Sequence, residues 1–158
     1  MMNHTSESRR VVVTGMGAIC GLGHNLSDIW KGVVEGRSGV RPLKNIHDAN
    51  LPVTFGGQVQ DYQVAEELIP AKDQGRYDKF IHYAIGATAE ALKHSQQSPR
   101  LSYPAERVGC IMGVGMGGFP FIEETYRTYI ERGPKRIGPF FIPSAISPKG
   151  VEVPWALT

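Results

Sequence analysis

A basic lead-in, a run of β-branched or apolar residues and then a cluster of glycines occurs twice in this chain. The first is Arg9-Arg10-Val11-Val12-Val13-Thr14, running into Gly15-Met16-Gly17, with Gly21 and Gly23 close behind. The second starts at Arg107, carries Val108, Cys110, Ile111 and Met112, and ends in Gly113-Val114-Gly115-Met116-Gly117-Gly118. Short apolar runs stopped by glycine read as buried strands, and strands buried on both faces need helices above and below them. The chain therefore has to supply helices, and it does.

Asn25 or Ser27 is placed to cap a helix from Asp28 to Glu35, where Ile29, Trp30, Val33 and Val34 fall at helical spacing and Gly36 ends it. From Ser38 to Val64 the pattern is irregular, with short strands read at Val53-Thr54-Phe55 and Gln58-Val59. Ala65 to Leu68 reads as a helical turn closed by Pro70. The strongest helix runs from Asp78 to His94, with Ile81, Ala84, Ile85, Thr88, Ala89, Ala91 and Leu92 on one broad face. Gly86 and Ala87 interleave there, which predicts close packing on neighbours. Ser95 to Pro104 reads as polar linker. Ile122 to Arg132 is amphipathic and stops at Gly133-Pro134. From Arg132 to Ile146, Gly133, Gly138, Pro134, Pro139, Pro143 and the adjacent Phe140 and Phe141 read as a stiff apolar loop and neither helix nor strand. Strands separated by helices place the chain in the α/β class.

Bulk properties exclude several functions. With 17 basic and 15 acidic residues among 158, the net charge of +2 gives no basic field for nucleic acid. No run is long enough to span a membrane, and Met1 to Ser8 is a polar, flexible start without a signal-peptide core. Two cysteines make no disulfide framework, so the expected compartment is the cytoplasm. The five histidines have no metal-ligand spacing, and no cofactor is expected.

A dinucleotide-binding α/β protein is the alternative that the glycines raise. Gly15 and Gly17 fill two positions of that fingerprint, but Cys20 holds the third and no acidic residue ends a second strand. Neither glycine run has the Gly-Lys-Ser/Thr ending of a phosphate loop. Cys20 and Cys110, in apolar or glycine-rich surroundings, read as structural, not nucleophilic.

Four segments together resemble the β-ketoacyl-acyl-carrier-protein synthases. They are residues 9–17; Trp30-Lys31-Gly32-Val33-Val34-Glu35-Gly36-Arg37-Ser38-Gly39-Val40; Asp78-Lys79-Phe80-Ile81-His82-Tyr83-Ala84; and the block from Gly113 to Gly118 with Gly133 to Ser144. The Phe-Phe-x-Pro-Ser form is most similar to the type II branch. The resemblance implies the N-terminal portion of a thiolase-like αβαβα layered fold, incomplete here, with residues 9–146 as a partial ketosynthase domain and 147–158 as a divergent tail. It implies condensation of an acyl chain on acyl carrier protein with malonyl-carrier protein in fatty-acid elongation, by a homodimer. The family's nucleophilic cysteine, two histidines and lysine match no position here and would fall after Thr158, so the chain alone is expected to be inactive. A non-catalytic remnant that binds carrier protein or a dimer partner is the other reading.

Some binding positions carry over from the resemblance. Met116 corresponds to a side chain beside the acyl tunnel, and Phe141 and Ile142 to the apolar loop at its wall. Lys72, Arg76, Lys135 and Arg136 fall in basic segments that face the acidic carrier protein, although Gly75 stands where the family usually has another base.

Overall fold

The computed structural model describes residues 10–44, 51–96 and 103–146. Helix α1 spans Leu26–Val34. The Asn25 side chain accepts from the Asp28 N–H at 2.9 Å, so of the two candidate caps Asn25 is the one used. Gly36, at φ +66, ends the helix in a left-handed turn. The Arg37 N–H then reaches back to the Gly32 carbonyl at 2.8 Å.

A two-stranded antiparallel sheet follows, β1 (Arg41–Pro42) with β2 (Phe55–Gly56), in the register Arg41 opposite Gly56. Of the expected Val53-Thr54-Phe55 strand only Phe55 is in β2, Gln58 and Val59 are in none, and the Arg41–Pro42 partner carried no sequence signal. Residues 65–69 form the expected helical turn, closed by Ile69 N–H to Ala65 O at 3.1 Å. Helix α2 is a single turn, Ala71–Gln74.

Helix α3, Lys79–His94, is the spine. Ile81 and Ile85 pack with Val64 and Ile69, and Tyr62, Leu68, Tyr77 and Phe80 close around them. Its small residues admit the first glycine loop. A Cβ on Gly15 would overlap the Ala91 carbonyl, and one on Gly17 the Ala87 carbonyl. Only glycine lets that backbone lie directly on the helix. The Glu90 carboxylate fastens the loop, accepting from the Ala18 N–H at 3.0 Å and from the Leu26 N–H, the first of α1, at 2.8 Å.

His82 is buried on α3 and donates from Nε2 to the Gln74 carbonyl at 3.1 Å. Burial pushes its pKa below the ordinary histidine value, and the Lys79 charge adds to this; the Gln74 hydrogen bond and Asp78 oppose it. Above the unfolded pKa near 6.5 both states are neutral and His82 contributes no pH dependence. Below it the unfolded chain binds a proton that the folded chain resists, so stability should fall as pH drops from about 6.5 to the lower folded value. Urea midpoints from pH 7.5 to 5 test this, and His82→Asn should flatten that part of the curve.

Helix α4 spans Phe119–Arg132, starting three residues before the periodicity suggests. Pro120 fits there because first-turn N–H groups have no intrahelical acceptor to lose. Gly133, at φ +79, closes the helix as expected, and residues 134–136 make one 3₁₀ turn.

Two expectations need correction. The apolar loop is not irregular throughout: Phe141–Ile146 is a helix, α5. Pro143 is its third residue, where a missing N–H is tolerated. The two β-branched or apolar runs form no strand, and they are not buried; Val11 is 91% and Ile111 99% exposed. A strand needs a hydrogen-bonded neighbour, and among the described residues neither run has one. Cys110, expected in the core, is exposed for the same reason. The expected flexible start, residues 1–8, and the expected divergent tail, 147–158, lie outside the described residues.

Candidate functional site

The starts of α3 and α4 and the second half of α5 converge on Asp78, Gly118 and Ser144. Asp78 caps α3 through Phe80 N–H and accepts from the Phe121 N–H of α4 at 3.0 Å. Gly118 donates its N–H to the Ala145 carbonyl at 2.7 Å, and a Cβ on it would sit 2.9 Å from both the Asp78 Cβ and the Ser144 carbonyl oxygen. Ser144, fully buried, donates its hydroxyl to the Arg76 carbonyl. The conformation of the basic segment before α3 is thereby fixed by the apolar helix α5.

Arg76 also reaches that segment with its side chain. Its guanidinium lies 5.2 Å from the centroid of the Phe140 ring and pairs with Asp73 at 2.7 Å. Phe141, the next residue, stacks on Phe121 with centroids 6.4 Å apart and planes 21° apart. Ile142 is 59% exposed, and Met116, two residues before the buried Gly118, is 75% exposed. The structure therefore brings Arg76, Phe141, Ile142 and Met116 to one end of α4. Lys72 lies on α2, four residues before Arg76, and is exposed. Lys135 and Arg136 are exposed in the 3₁₀ turn at the other end of α4. A 14-residue helix is about 20 Å long, so the basic residues form two groups and not one patch.

Sequence reasoning missed Asp78, Ser144 and Glu90 as organising residues. Asp78 carried a signal, since it directly precedes an apolar-periodic run. Glu90 and Ser144 carried none, because their partners are distant in the chain.

A separate cleft of about 450 Å³ is lined by the Gly21–Gly23 turn, His24, Lys31, Arg41 and Asp61, with Glu35 and Arg37 at its side. Within it Arg37 pairs with Glu35 at 3.0 Å, and Asp61 pairs with Lys44, which lies outside the lining, at 2.6 Å. The Lys44 hydrogen bond and charge hold the Asp61 carboxyl below its ordinary pKa. The first glycine loop offers no phosphate cradle. Gly15 and Gly17 are against α3, and the Glu90 carboxylate already takes the first N–H of α1, where a pyrophosphate would bind.

The fold has close counterparts among solved structures. One is a type II PKS acyl-carrier protein in complex with its ketosynthase bound to the hexaketide, at TM-score 0.65 and 28% identity, covering 87% of this chain and 36% of that one. Another is a β-ketoacyl synthase from Burkholderia phymatum, at TM-score 0.71 and 22% identity, covering 87% and 34%. The architecture is thus part of the thiolase-like layered fold of ketosynthases. The family model of the β-ketoacyl synthase N-terminal domain matches residues 8–149, and the chain belongs to the β-ketoacyl synthase family. Similar relatives include 3-oxoacyl-[acyl-carrier-protein] synthase 2 of Synechocystis sp., 35% identical over 141 residues, covering 89% of this chain and 33% of the relative. That of Vibrio harveyi is 38% identical over 140 residues, with the same two coverages. The chain spans about a third of the length of these curated relatives.

No helix among the described residues is long and apolar enough to cross a membrane.

Proposed function

We propose that this chain forms the acyl-entrance and carrier-docking part of a 3-oxoacyl-[acyl-carrier-protein] synthase of the synthase 2 type. In that reading Met116, Phe141 and Ile142 contact the growing acyl chain, and Lys72, Arg76, Lys135 and Arg136 attract the acidic carrier protein. The observation that carries it is the double tie of Arg76 to the apolar segment, through Ser144 to its backbone and through its guanidinium to Phe140. A cation that meets the carrier is held beside the residues that would meet its cargo. Docking and chain delivery are then one geometric event.

The reaction itself, transfer of an acyl group to a thiol and condensation with malonyl-carrier protein, needs groups this chain does not present. Cys20 sits in a tight turn and Cys110 in an exposed segment without regular secondary structure; neither is in the first turn of a helix. The chain alone is therefore proposed to bind carrier protein without turning over, and the complete synthase to act as a homodimer.

Titration of the chain with an acyl carrier protein tests this. Lys72→Glu with Arg76→Glu should weaken binding at least tenfold, with the loss shrinking as salt rises. Arg76→Lys keeps the charge but not the planar contact with Phe140, and should fall between. Binding that ignores all three changes would refute the docking assignment.

A further inference from the structure

The cleft beside α1 and the small sheet is lined by two cations that pair with no carboxylate among the described residues. Asp28, Lys31 and Glu35 fall three and four residues apart, so α1 and its C-cap residue present one polar stripe there. Arg41 of β1, with Gln60 and Asp61 beyond β2, lines it from the sheet side. Three cations thus share the lining with three carboxylates, but the pairing is uneven. Glu35 takes Arg37 at 3.0 Å, Asp61 takes Lys44 at 2.6 Å, and Asp28 takes the Asn25 amide at 2.7 Å. Lys31 and Arg41 are left.

The walls are fixed without a ligand. Cys20 and Gly23 exchange backbone hydrogen bonds at 2.9 and 3.2 Å across the turn that lines the cleft. A Cβ on Gly21 would sit 2.9 Å from the Gly39 carbonyl oxygen, so the chain after α1 lies directly on that turn. Gln58 braces the other wall, accepting from the Lys44 N–H at 2.8 Å and donating to the Lys44 carbonyl at 3.1 Å. Gln60 donates to the Pro42 carbonyl at 2.7 Å, which leaves its amide oxygen as an acceptor. Asp61 stands in the left-handed region at φ +61, which aspartate adopts more readily than most residues. Its neighbour Tyr62 meets the His24 and Tyr83 rings edge-on, with centroids 5.3 and 5.6 Å away. A site held in this way has little ordering left to do on binding.

We propose that this cleft binds a small phosphate monoester carrying hydroxyl groups, with Lys31 and Arg41 holding the phosphate. A planar guanidinium and an ammonium together match the oxygens of a dianion. The Gln60 amide oxygen and the Asp28 and Asp61 carboxylates accept from hydroxyls. The same carboxylates repel further negative charge, which selects against polyanions. A volume of about 450 Å³ suits a small molecule, and so polar a lining gives an acyl chain nothing to pack on. The phosphate is met by side chains and not by the backbone of the first glycine loop. None of these residues belongs to the proposed carrier-docking surface, so the two readings stand or fall separately.

Titration of the 158-residue chain with glycerol 3-phosphate, inorganic phosphate and glycerol, read by calorimetry and amide chemical shifts, tests this. Glycerol 3-phosphate should bind and shift the amides of Gly21, Gly23, Lys31 and Arg41, and glycerol should not bind. Lys31→Gln and Arg41→Gln should each weaken binding about tenfold, the worth of one charge-assisted hydrogen bond, and together abolish it. Lys93→Gln, which removes an exposed cation of α3, should bind like the parent. Asp61→Asn should tighten binding severalfold, because asparagine keeps the left-handed backbone but sheds a repelling charge. A chain that had merely unfolded would show no such gain. No binding of either phosphate, or binding indifferent to Lys31 and Arg41, overturns the proposal. Inorganic phosphate binding as tightly as the ester overturns the ester assignment and makes the free anion the ligand.

Discussion

Glu90→Ala is expected to lower stability by about 3 kcal/mol, because one carboxylate holds two segments on α3. Its oxygens accept from Ala18 N–H and Leu26 N–H at 3.0 and 2.8 Å. Hydrogen bonds to a charged group contribute about 1.5–3 kcal/mol each, and the lower figure applies to these partly buried ones. The Leu26 bond also places a negative charge at the N-terminus of α1, where the helix dipole favours it. Alanine would leave both donors without their acceptor and free the loop that carries Gly15 and Gly17. Glu90→Gln keeps one acceptor oxygen but turns an NH₂ toward the other donor, so it should recover less than half of the loss. Urea unfolding followed by circular dichroism measures all three proteins. A loss below about 1 kcal/mol would show that glycine packing alone holds the loop.

Asp78→Ala should cost a similar amount by a different route. Loss of a helix cap typically costs about 0.5–2 kcal/mol, and a buried donor left without a partner about 1–3 kcal/mol. Asp78 supplies both the cap of α3 and the acceptor for Phe121 N–H. The expected sum is about 3 kcal/mol, a large share of the margin of an ordinary domain. Asp78→Asn retains the cap and should lose less. Amide exchange separates the two contributions: in Asp78→Ala the Phe121 amide should exchange much faster, and the start of α4 should fray. If that amide stayed protected, α4 would be held by its contacts with α5 and not by the carboxylate.

The consequence for function is direct. Asp78, Gly118 and Ser144 bring the basic segment, α4 and α5 to one point. If the proposed docking role holds, loosening that point should weaken carrier binding in Asp78→Ala although Asp78 is buried.

Much of this was legible from residue order. Asn25, Gly36, Asp78 and Gly133 announce the ends of helices because a cap acts within a few residues of itself. The periodicity of residues 79–94 gave the spine, and its small residues foretold the close approach of another backbone. The short motifs around Gly113–Gly118 and Gly133–Ser144 pointed to the family that the matches then established. Less legible was the apolar stretch after Gly138. Three prolines and two glycines between Arg132 and Ile146 argued against a helix, yet Pro143 falls in a first turn, where proline does no harm.

The apolar runs show the limit most clearly. Valine and isoleucine favour extended backbone locally, but whether such a run is a strand depends on a neighbour that no local pattern can supply. The grouping of the basic residues has the same origin. Lys72, Arg76, Lys135 and Arg136 look alike as sequence, but only packing puts Arg76 beside Phe140 and leaves Lys135 and Arg136 at the other end of α4.

The amino-acid sequence by itself determined where the principal helices end and which family the chain resembles. Tertiary structure alone decided that Glu90 pins the glycine loop, that Asp78 reaches Phe121 and that Ser144 holds Arg76. Those contacts join residues separated by 72, 43 and 68 positions. Their formation depends on the packing of whole helices, whereas caps and turns are settled by atoms within reach of one another along the chain.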